Sequence, residues 1–382
     1  MNTTKKLMTL LLAGSLMVSS LVGCGNQGGK SADSDEIKIG GIAPLTGNVA
    51  VYGVAADRGA KLAIEEINAA GGILNKQIKY IVYDDKGDTT EAVNAYKKLT
   101  SNDKVDAIFG AVTSKPTLSV TPLAAKDNIP MISPTATALE VTEAGPNIFR
   151  ACFIDPYQGE IMAKFAVEDL KAGKAAVVYN TADDYSVGVA EAFKAAFEAN
   201  GAEIVSYEGY NGDDKDFKAV LTNVKAKDPE VLFIPDYYNT VGLIAQQARE
   251  VGISAALLGA DGWDGVIGVN AEAVEGAYFC NHYSTDDTAS QVQDFLTAYK
   301  EKYDEDPVSF AALGYDAIKI LAAAIEKAGS TDKKAVAEAL SETNITSVTG
   351  TVTFDENRNP VKEVSIIKIE DGKNRLFTKM SL

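Results

Sequence analysis

Residues Ile37–Gly72 read IKIGGIAPLTGNVAVYGVAADRGAKLAIEEINAAGG. The opening IKIGGIAPL is a short apolar run broken only by Lys38. In the segment that follows, Val54, Leu62, Ile64 and Ile67 help to form one apolar stripe, and Gly71-Gly72 supplies the helix stop. The stretch therefore predicts a buried strand followed by an amphipathic helix. The unit repeats. IKYIVYDD precedes TEAVNAYKKLTS, VDAIFGAV precedes KPTLSVTPLAAKDN, and IPMISP and NIFRACF follow. The pattern restarts with KAAVVYN, EIVSYEGY, VLFIPDY and AALLGADGW, again separated by helical stretches. Near-continuous apolar strands alternating with helices mean parallel sheets covered on both faces. Two such series predict an α/β protein of two doubly wound parallel-sheet lobes, and 382 residues are comfortable for two domains.

The N-terminus reads differently. Lys5 and Lys6 precede the apolar run Leu7–Val22, which is short for a membrane span and suits the core of an export signal. It ends in Leu21-Val22-Gly23-Cys24, which resembles a bacterial lipobox, in which the cysteine is lipidated and becomes the new N-terminus. Residues 1–23 are thus expected to be a lipoprotein signal peptide and Cys24 a membrane anchor. Residues 24–36, rich in Gly, Ser and acid, are expected to be a flexible tether. Removing the signal removes Lys5 and Lys6 and no other charge, taking the formal −17 to −19.

That charge argues against nucleic acid as a partner, since phosphates demand a basic surface. A single histidine, His282, supplies neither a His-rich metal centre nor Ser-His catalysis. Nucleophile-elbow, dinucleotide-binding and P-loop patterns are absent. No cofactor, metal or catalytic residue is expected. The two cysteines beyond Cys24, Cys152 and Cys280, are expected as unpaired buried thiols; the alternative is a disulfide between hinge segments.

Ligands of open parallel sheets sit beyond the carboxyl ends of the strands. In the first series those positions hold Pro44–Gly47 with Tyr52, then Val112, Thr113 and Ser114, then Ser133–Thr137 of MISPTATAL. In the second they hold Tyr179 and Tyr185, then Asp236, Tyr237 and Tyr238, then Asp261 and Trp263. Hydroxyls gather on one side, tyrosines and acids on the other. Such a set suits a free α-amino acid. The N–H groups at a helix start, with the Ser114 and Thr137 hydroxyls, suit a carboxylate. Asp261 and the Thr135 carbonyl suit an ammonium, with cation–π support from Tyr185 or Tyr237. Tyr52, Val112, Phe310 and Trp263 are candidates for an apolar wall.

The opening stretch, YDDKGDTTEAV, MISPTATA and YSVGVA (Tyr185–Ala190) resemble the leucine/isoleucine/valine-binding family, the extracellular receptors of amino-acid ABC transporters. The likeness runs from about Ile37 to the C-terminus. It implies the periplasmic-binding-protein type I fold, a three-crossover hinge and a ligand trapped between lobes. The crossovers are expected near Ile154-Asp155, Tyr283-Ser284 and Gly350-Thr351. This makes residues 37–155 with 284–350 one lobe, and 156–283 with 351–382 the other. The resemblance implies a ligand site of Tyr52, Thr113, Ser114, Thr135, Ala136, Thr137, Tyr185, Tyr237, Asp261 and Phe310. Asp261 stands where the family commonly has Glu. The implied role is capture of a free amino acid, branched-chain or otherwise apolar, by a lipid-anchored monomer that delivers it to permease subunits. The alternative is a sensor of amino acids or small amides that feeds a signalling partner.

Overall fold

The computed structural model describes residues 36–382. The expected signal peptide, Cys24 and the tether up to residue 35 lie outside the described residues. Glu36, taken from the sequence as the end of the tether, opens the first strand.

The chain begins β1 (Glu36–Ala43), α1 (Ala50–Ala69), β2 (Gln77–Asp84), α2 (Thr89–Lys98), β3 (Ala107–Gly110), α3 (Ser114–Lys126), β4 (Met131–Ser133) and β5 (Ile148–Arg150). It continues α4 (Asp155–Glu168), β6 (Lys174–Asn180), α5 (Asp184–Ala199), β7 (Glu203–Tyr210), α6 (Lys218–Lys225), β8 (Val231–Phe233), α7 (Tyr238–Glu250), β9 (Ala256–Gly259), α8 (Ile267–Asn270) and β10 (Tyr278–Asn281). It ends α9 (Ser290–Tyr303), α10 (Ser309–Ala328), α11 (Lys333–Ser341), β11 (Asn344–Ser347), β12 (Gly350–Thr353), β13 (Val364–Glu370) and β14 (Lys373–Met380).

The first sheet has the order β2-β1-β3-β4-β5 and is parallel throughout. Strands β3 and β4 and the edge strand β5 are buried along their whole length, which fits their short runs without apolar–polar alternation. The second sheet has the order β14-β13-β10-β9-β8-β6-β7. Strands β6 to β10 pair in parallel, but β13 runs antiparallel to β10 and β14 antiparallel to β13. This antiparallel edge was not expected from the strand–helix rhythm. Its signal is local: Asp371-Gly372 both adopt positive φ, 53° and 64°, the geometry of a two-residue hairpin turn. The alternating exposure of β14 fits an edge strand.

The chain passes from the first sheet to the second between β5 and α4. It returns after β10, because α10 packs on α1. It passes again to the second sheet between β12 and β13. The α1–α10 crossing is unusually close. A Cβ on Gly59 would meet the Ala311 carbonyl oxygen at 1.9 Å, and one on Gly314 would meet that of Ala56 at 2.2 Å. Only glycine fits at either point.

The passages are tied to one another. The Lys362 ammonium donates to the Ala151 carbonyl at 2.8 Å and to Thr349 Oγ1 at 2.9 Å. The Asp264 carboxylate accepts the first backbone N–H of α10, that of Ser309, at 2.6 Å. Cys152 and Cys280 are free and buried in different clusters of the core. Their thiols point to separate acceptors, the Ala136 carbonyl at 3.3 Å and Gln158 Oε1 at 3.4 Å. The disulfide alternative is therefore not realised, and burial pushes the Cys152 thiol up to about 12.

Candidate functional site

Strand β3 ends at Gly110, and Val112 and Thr113 lead directly into α3. Thr113 is the N-cap and Ser114 the first helical residue. The first-turn N–H groups of α3 have no acceptor within the helix and face the strand ends. Ser114 Oγ accepts the Ala138 N–H at 3.2 Å, which draws the loop after β4 against the helix start. In that loop Thr135 Oγ1 donates to the Val112 carbonyl at 2.5 Å, and the Thr137 carbonyl accepts the Asp155 N–H at 3.0 Å. Arg150, fully buried on β5, braces the loop from behind. It donates to the carbonyls of Ala136 at 3.0 Å, Ala138 at 2.8 Å and Leu139 at 3.0 Å.

The second sheet supplies the opposite wall. Tyr237 is the N-cap of α7, and Tyr185 lies in the first turn of α5. Their rings stack with centroids 5.1 Å apart and planes 11° from parallel. The Tyr185 hydroxyl accepts the Gly262 N–H at 2.9 Å. Asp261 opens a 3-10 turn just beyond β9. Its N–H donates to Gln158 Oε1 at 3.0 Å, and its Oδ2 lies 3.1 Å from His282 Nε2. Burial pulls the His282 pKa down to about 4, and the hydrogen bond to Asp261 only partly offsets this. A neutral imidazole facing a carboxylate, which only accepts, carries its proton on Nε2.

The two walls close on a small cavity of about 10 Å³ lined by Val112, Thr113, Ser114, Thr135, Thr137, Phe310, Tyr185, Tyr237, Asp261 and Gly262. Of the residues expected from the sequence, the structure thus brings together Thr113, Ser114, Thr135, Thr137, Tyr185, Tyr237, Asp261 and Phe310. Two stand behind the wall. Tyr52 stacks on Phe310 at 4.0 Å, and its hydroxyl donates across the cleft to the Gly262 carbonyl and accepts the Tyr238 N–H at 3.0 Å. Ala136 turns inward, its N–H on Ser133 Oγ and its carbonyl on Arg150. Trp263 is corrected outright: it is not a wall of the cavity. The 3-10 turn sends it back under the sheet, fully buried, with its indole N–H on the Ile234 carbonyl at 2.7 Å. Tyr238 bridges the mouth instead, donating to the Asn48 carbonyl at 3.0 Å.

A larger groove runs along α4 and α5, lined by exposed side chains such as Glu160 and Asn200, away from the convergent hydroxyls. Between that groove and the small cavity lies Asp155, whose Oδ2 has no partner among the described residues. Burial, reinforced by nearby Asp261, holds its pKa well above the usual carboxylate range.

Arg150, Gln158 and His282 were missed in the sequence. Arg150 had a signal, a lone cation inside the apolar run IFRACF. His282 had one only in register. Strands β9 and β10 are parallel neighbours that pair Gly259 with Phe279, so residues just past the two ends stand side by side. Chemically, the cavity offers neutral donors at one end, a carboxylate at the other and aromatic faces between. That set fits a small zwitterion and contains no arrangement of nucleophile and base.

A fold of two α/β sheets linked by three passages, with a polar cavity between facing strand ends, defines a class of solute-binding proteins. The periplasmic binding protein family matches residues 36–374, and the chain belongs to that family. It is 34% identical to the Leu/Ile/Val-binding protein homolog 3 of Brucella melitensis, over 94% of this chain and 98% of that one. Among solved structures it is similar to a leucine-binding protein of Thermotoga maritima, with 34% identity, a TM-score of 0.86, and 90% of this chain and 98% of that one covered. It is also similar to the branched-chain amino acid transporter substrate-binding protein of Streptococcus pneumoniae in complex with isoleucine, with 36% identity, a TM-score of 0.84 and the same coverage. The family consists of extracytoplasmic ligand carriers rather than enzymes. Solute binding is accordingly this chain's role. Among the described residues no helix is long and apolar enough to cross a membrane.

Proposed function

We propose that this protein captures a free α-amino acid with a branched or otherwise apolar side chain and hands it to an ABC permease. One observation carries the reading: the start of α3 with Ser114 and Thr137, and Asp261 backed by His282, lie at opposite walls of one enclosed cavity. The carboxylate of the ligand meets hydroxyls and helix N–H groups, and its ammonium meets Asp261. Val112, Phe310, Tyr185 and Tyr237 cover the side chain. The names of the Brucella, Thermotoga and Streptococcus relatives support the same ligand class.

The ligand contacts both lobes, which join at three passages, and shifts the population toward closure. The carrier works as a monomer at the outer face of the cell membrane, held by lipid on Cys24. A thermal-shift screen of the domain from Ser34 against all amino acids tests the ligand class. Leucine, isoleucine or valine should give the largest rise in melting temperature, by mass action on the folded state. A rise confined to basic or acidic amino acids would discard the apolar class. For the anchor, Cys24→Ser should move the protein from the membrane fraction to the medium.

A further inference from the structure

We infer that His282 is a positioning residue for Asp261, fixing one oxygen of that carboxylate from behind so that the other faces the ligand ammonium. The inference rests on the functional reading above. The two side chains are almost fully buried, 0% exposed for His282 and 3% for Asp261, and meet through Nε2 and Oδ2 at 3.1 Å. Oδ1 of Asp261 accepts no hydrogen bond from the described residues.

The imidazole is itself held on two sides. Its ring stacks on Phe153 at 3.7 Å with the planes 21° apart, and its backbone N–H donates to Asn281 Oδ1 at 2.8 Å. On its far side His282 lines a second cavity, of about 390 Å³, shared with Thr349 and Lys362 of the third passage between sheets. Its Nδ1 has no partner among the described residues, so no bond on that ring nitrogen competes with the Asp261 contact. Burial keeps the ring neutral, so Nε2 donates without neutralising the carboxylate.

A short aspartate arm reaches less far than a glutamate, and its two oxygens differ little in reach. A donor behind Oδ2 removes the rotation about the carboxyl bond that would otherwise turn either oxygen away from the cavity. The binding energy of the ammonium then goes into the contact rather than into ordering the acid.

The test is isothermal titration of four variants: His282→Phe, His282→Gln, Asp261→Asn, and His282→Phe with Asp261→Asn. The probes are the best-bound of L-leucine, L-isoleucine and L-valine, and the matching carboxylic acid that lacks the ammonium. Phenylalanine keeps the stack on Phe153 and removes the donor, whereas glutamine restores a donor near the Nε2 position. His282→Phe should weaken the amino acid about 10- to 100-fold, as for a hydrogen bond to a charged group. It should leave the des-amino acid within about threefold of wild type. His282→Gln should recover the amino acid to within about threefold of wild type, and in the Asp261→Asn background His282→Phe should add less than about threefold.

Should the phenylalanine variant not fold, His282→Asn, whose amide is too short to reach the carboxylate, takes its place with the same expected loss. Equal losses for both probes, or an unchanged amino-acid affinity in His282→Phe, would overturn the inference while leaving Asp261 as the ammonium partner. An unchanged affinity in Asp261→Asn, or no binding of any of the three amino acids by wild type, would overturn the functional reading and this inference with it.

Discussion

The two walls of the cavity are built from opposite materials. The first wall has no charged side chain on the cavity; it offers Thr113, Ser114, Thr135 and Thr137 and the start of α3. The second offers a full carboxylate, Asp261, braced by Gln158 and His282, between stacked tyrosines. Helix N–H groups and hydroxyls are fixed dipoles, ready in place and needing no counter-ion. A lone ammonium is more demanding. Once it is desolvated, only a charge or several carbonyls match it. Removing a piece of either wall should therefore have unequal consequences.

The largest loss is expected at the second wall. Asp261→Ala strands a buried ammonium, which costs roughly 2–5 kcal/mol, or about 30-fold to several thousand-fold in affinity by titration calorimetry. A loss below about threefold in a folded variant would break the comparison at its base. At the first wall, Ser114→Ala and Thr137→Ala should each cost roughly 1.5–3 kcal/mol, because each removes one of several shared donors to a charged group. An amino-acid amide should bind poorly to the wild type, and equal affinity for the amide would remove the anion role from this wall.

Each lobe also carries a buried acid whose pKa burial raises to about 7, and the two are built differently. Asp85, beyond β2, has one oxygen on the Gly87 N–H and the other without a partner. Asp236, beyond β8, has both oxygens engaged, by the Tyr237 N–H and the Tyr210 hydroxyl. A carboxyl raised in the folded state keeps its proton longer there than in the unfolded chain, so its contribution to stability falls as pH rises from about 4 to about 7. Asp85→Asn should therefore stabilise the protein at pH 8 by roughly 1–3 kcal/mol and much less at pH 4, by urea unfolding. Asp236→Asn should give no such gain, since the amide turns a donor toward Tyr210 or Tyr237. Equal gains for both variants would erase the distinction.

The smallest effect is expected where the walls touch. Tyr52→Phe keeps the stack on Phe310 and loses the hydroxyl that joins Gly262 to Tyr238. A neutral hydrogen bond is worth about 0.5–1.5 kcal/mol, so affinity should fall roughly two- to tenfold with the melting temperature of the unliganded protein nearly unchanged.

Much of the first wall was legible because it follows local rules: apolar strand, short loop, capped helix. Ser114 and Thr137 could be read from their place just after an apolar run. The second wall was legible only in part. Asp261 follows the same rule, but Trp263, two residues on, does not face the cavity. The reason is space beneath the turn. Gly259 leaves room for the indole, since a Cβ there would meet Trp263 Nε1 at 2.1 Å. His282 depends on the register of β9 against β10, and Phe310 reaches the cavity through α10, a helix from the other end of the chain. Such pairings are tertiary, and no spacing along the sequence carries them. The antiparallel β13–β14 edge was readable from Asp371-Gly372 but was masked by the rhythm of parallel units before it.

The glycine-to-glycine crossing of α1 and α10 bears on how the chain is made. Synthesis delivers α1 early and α10 only after ten strands and nine helices have been made. A chain cut anywhere before Ser309 leaves the Ala56–Gly59 face of α1 bare and the first sheet without one of its covering helices. The first lobe therefore stays incompletely covered until α10 has been made, however long the ribosome pauses before that point. It completes its packing only once the chain has been made through Ala328, so this lobe closes late relative to its own N-terminal strands.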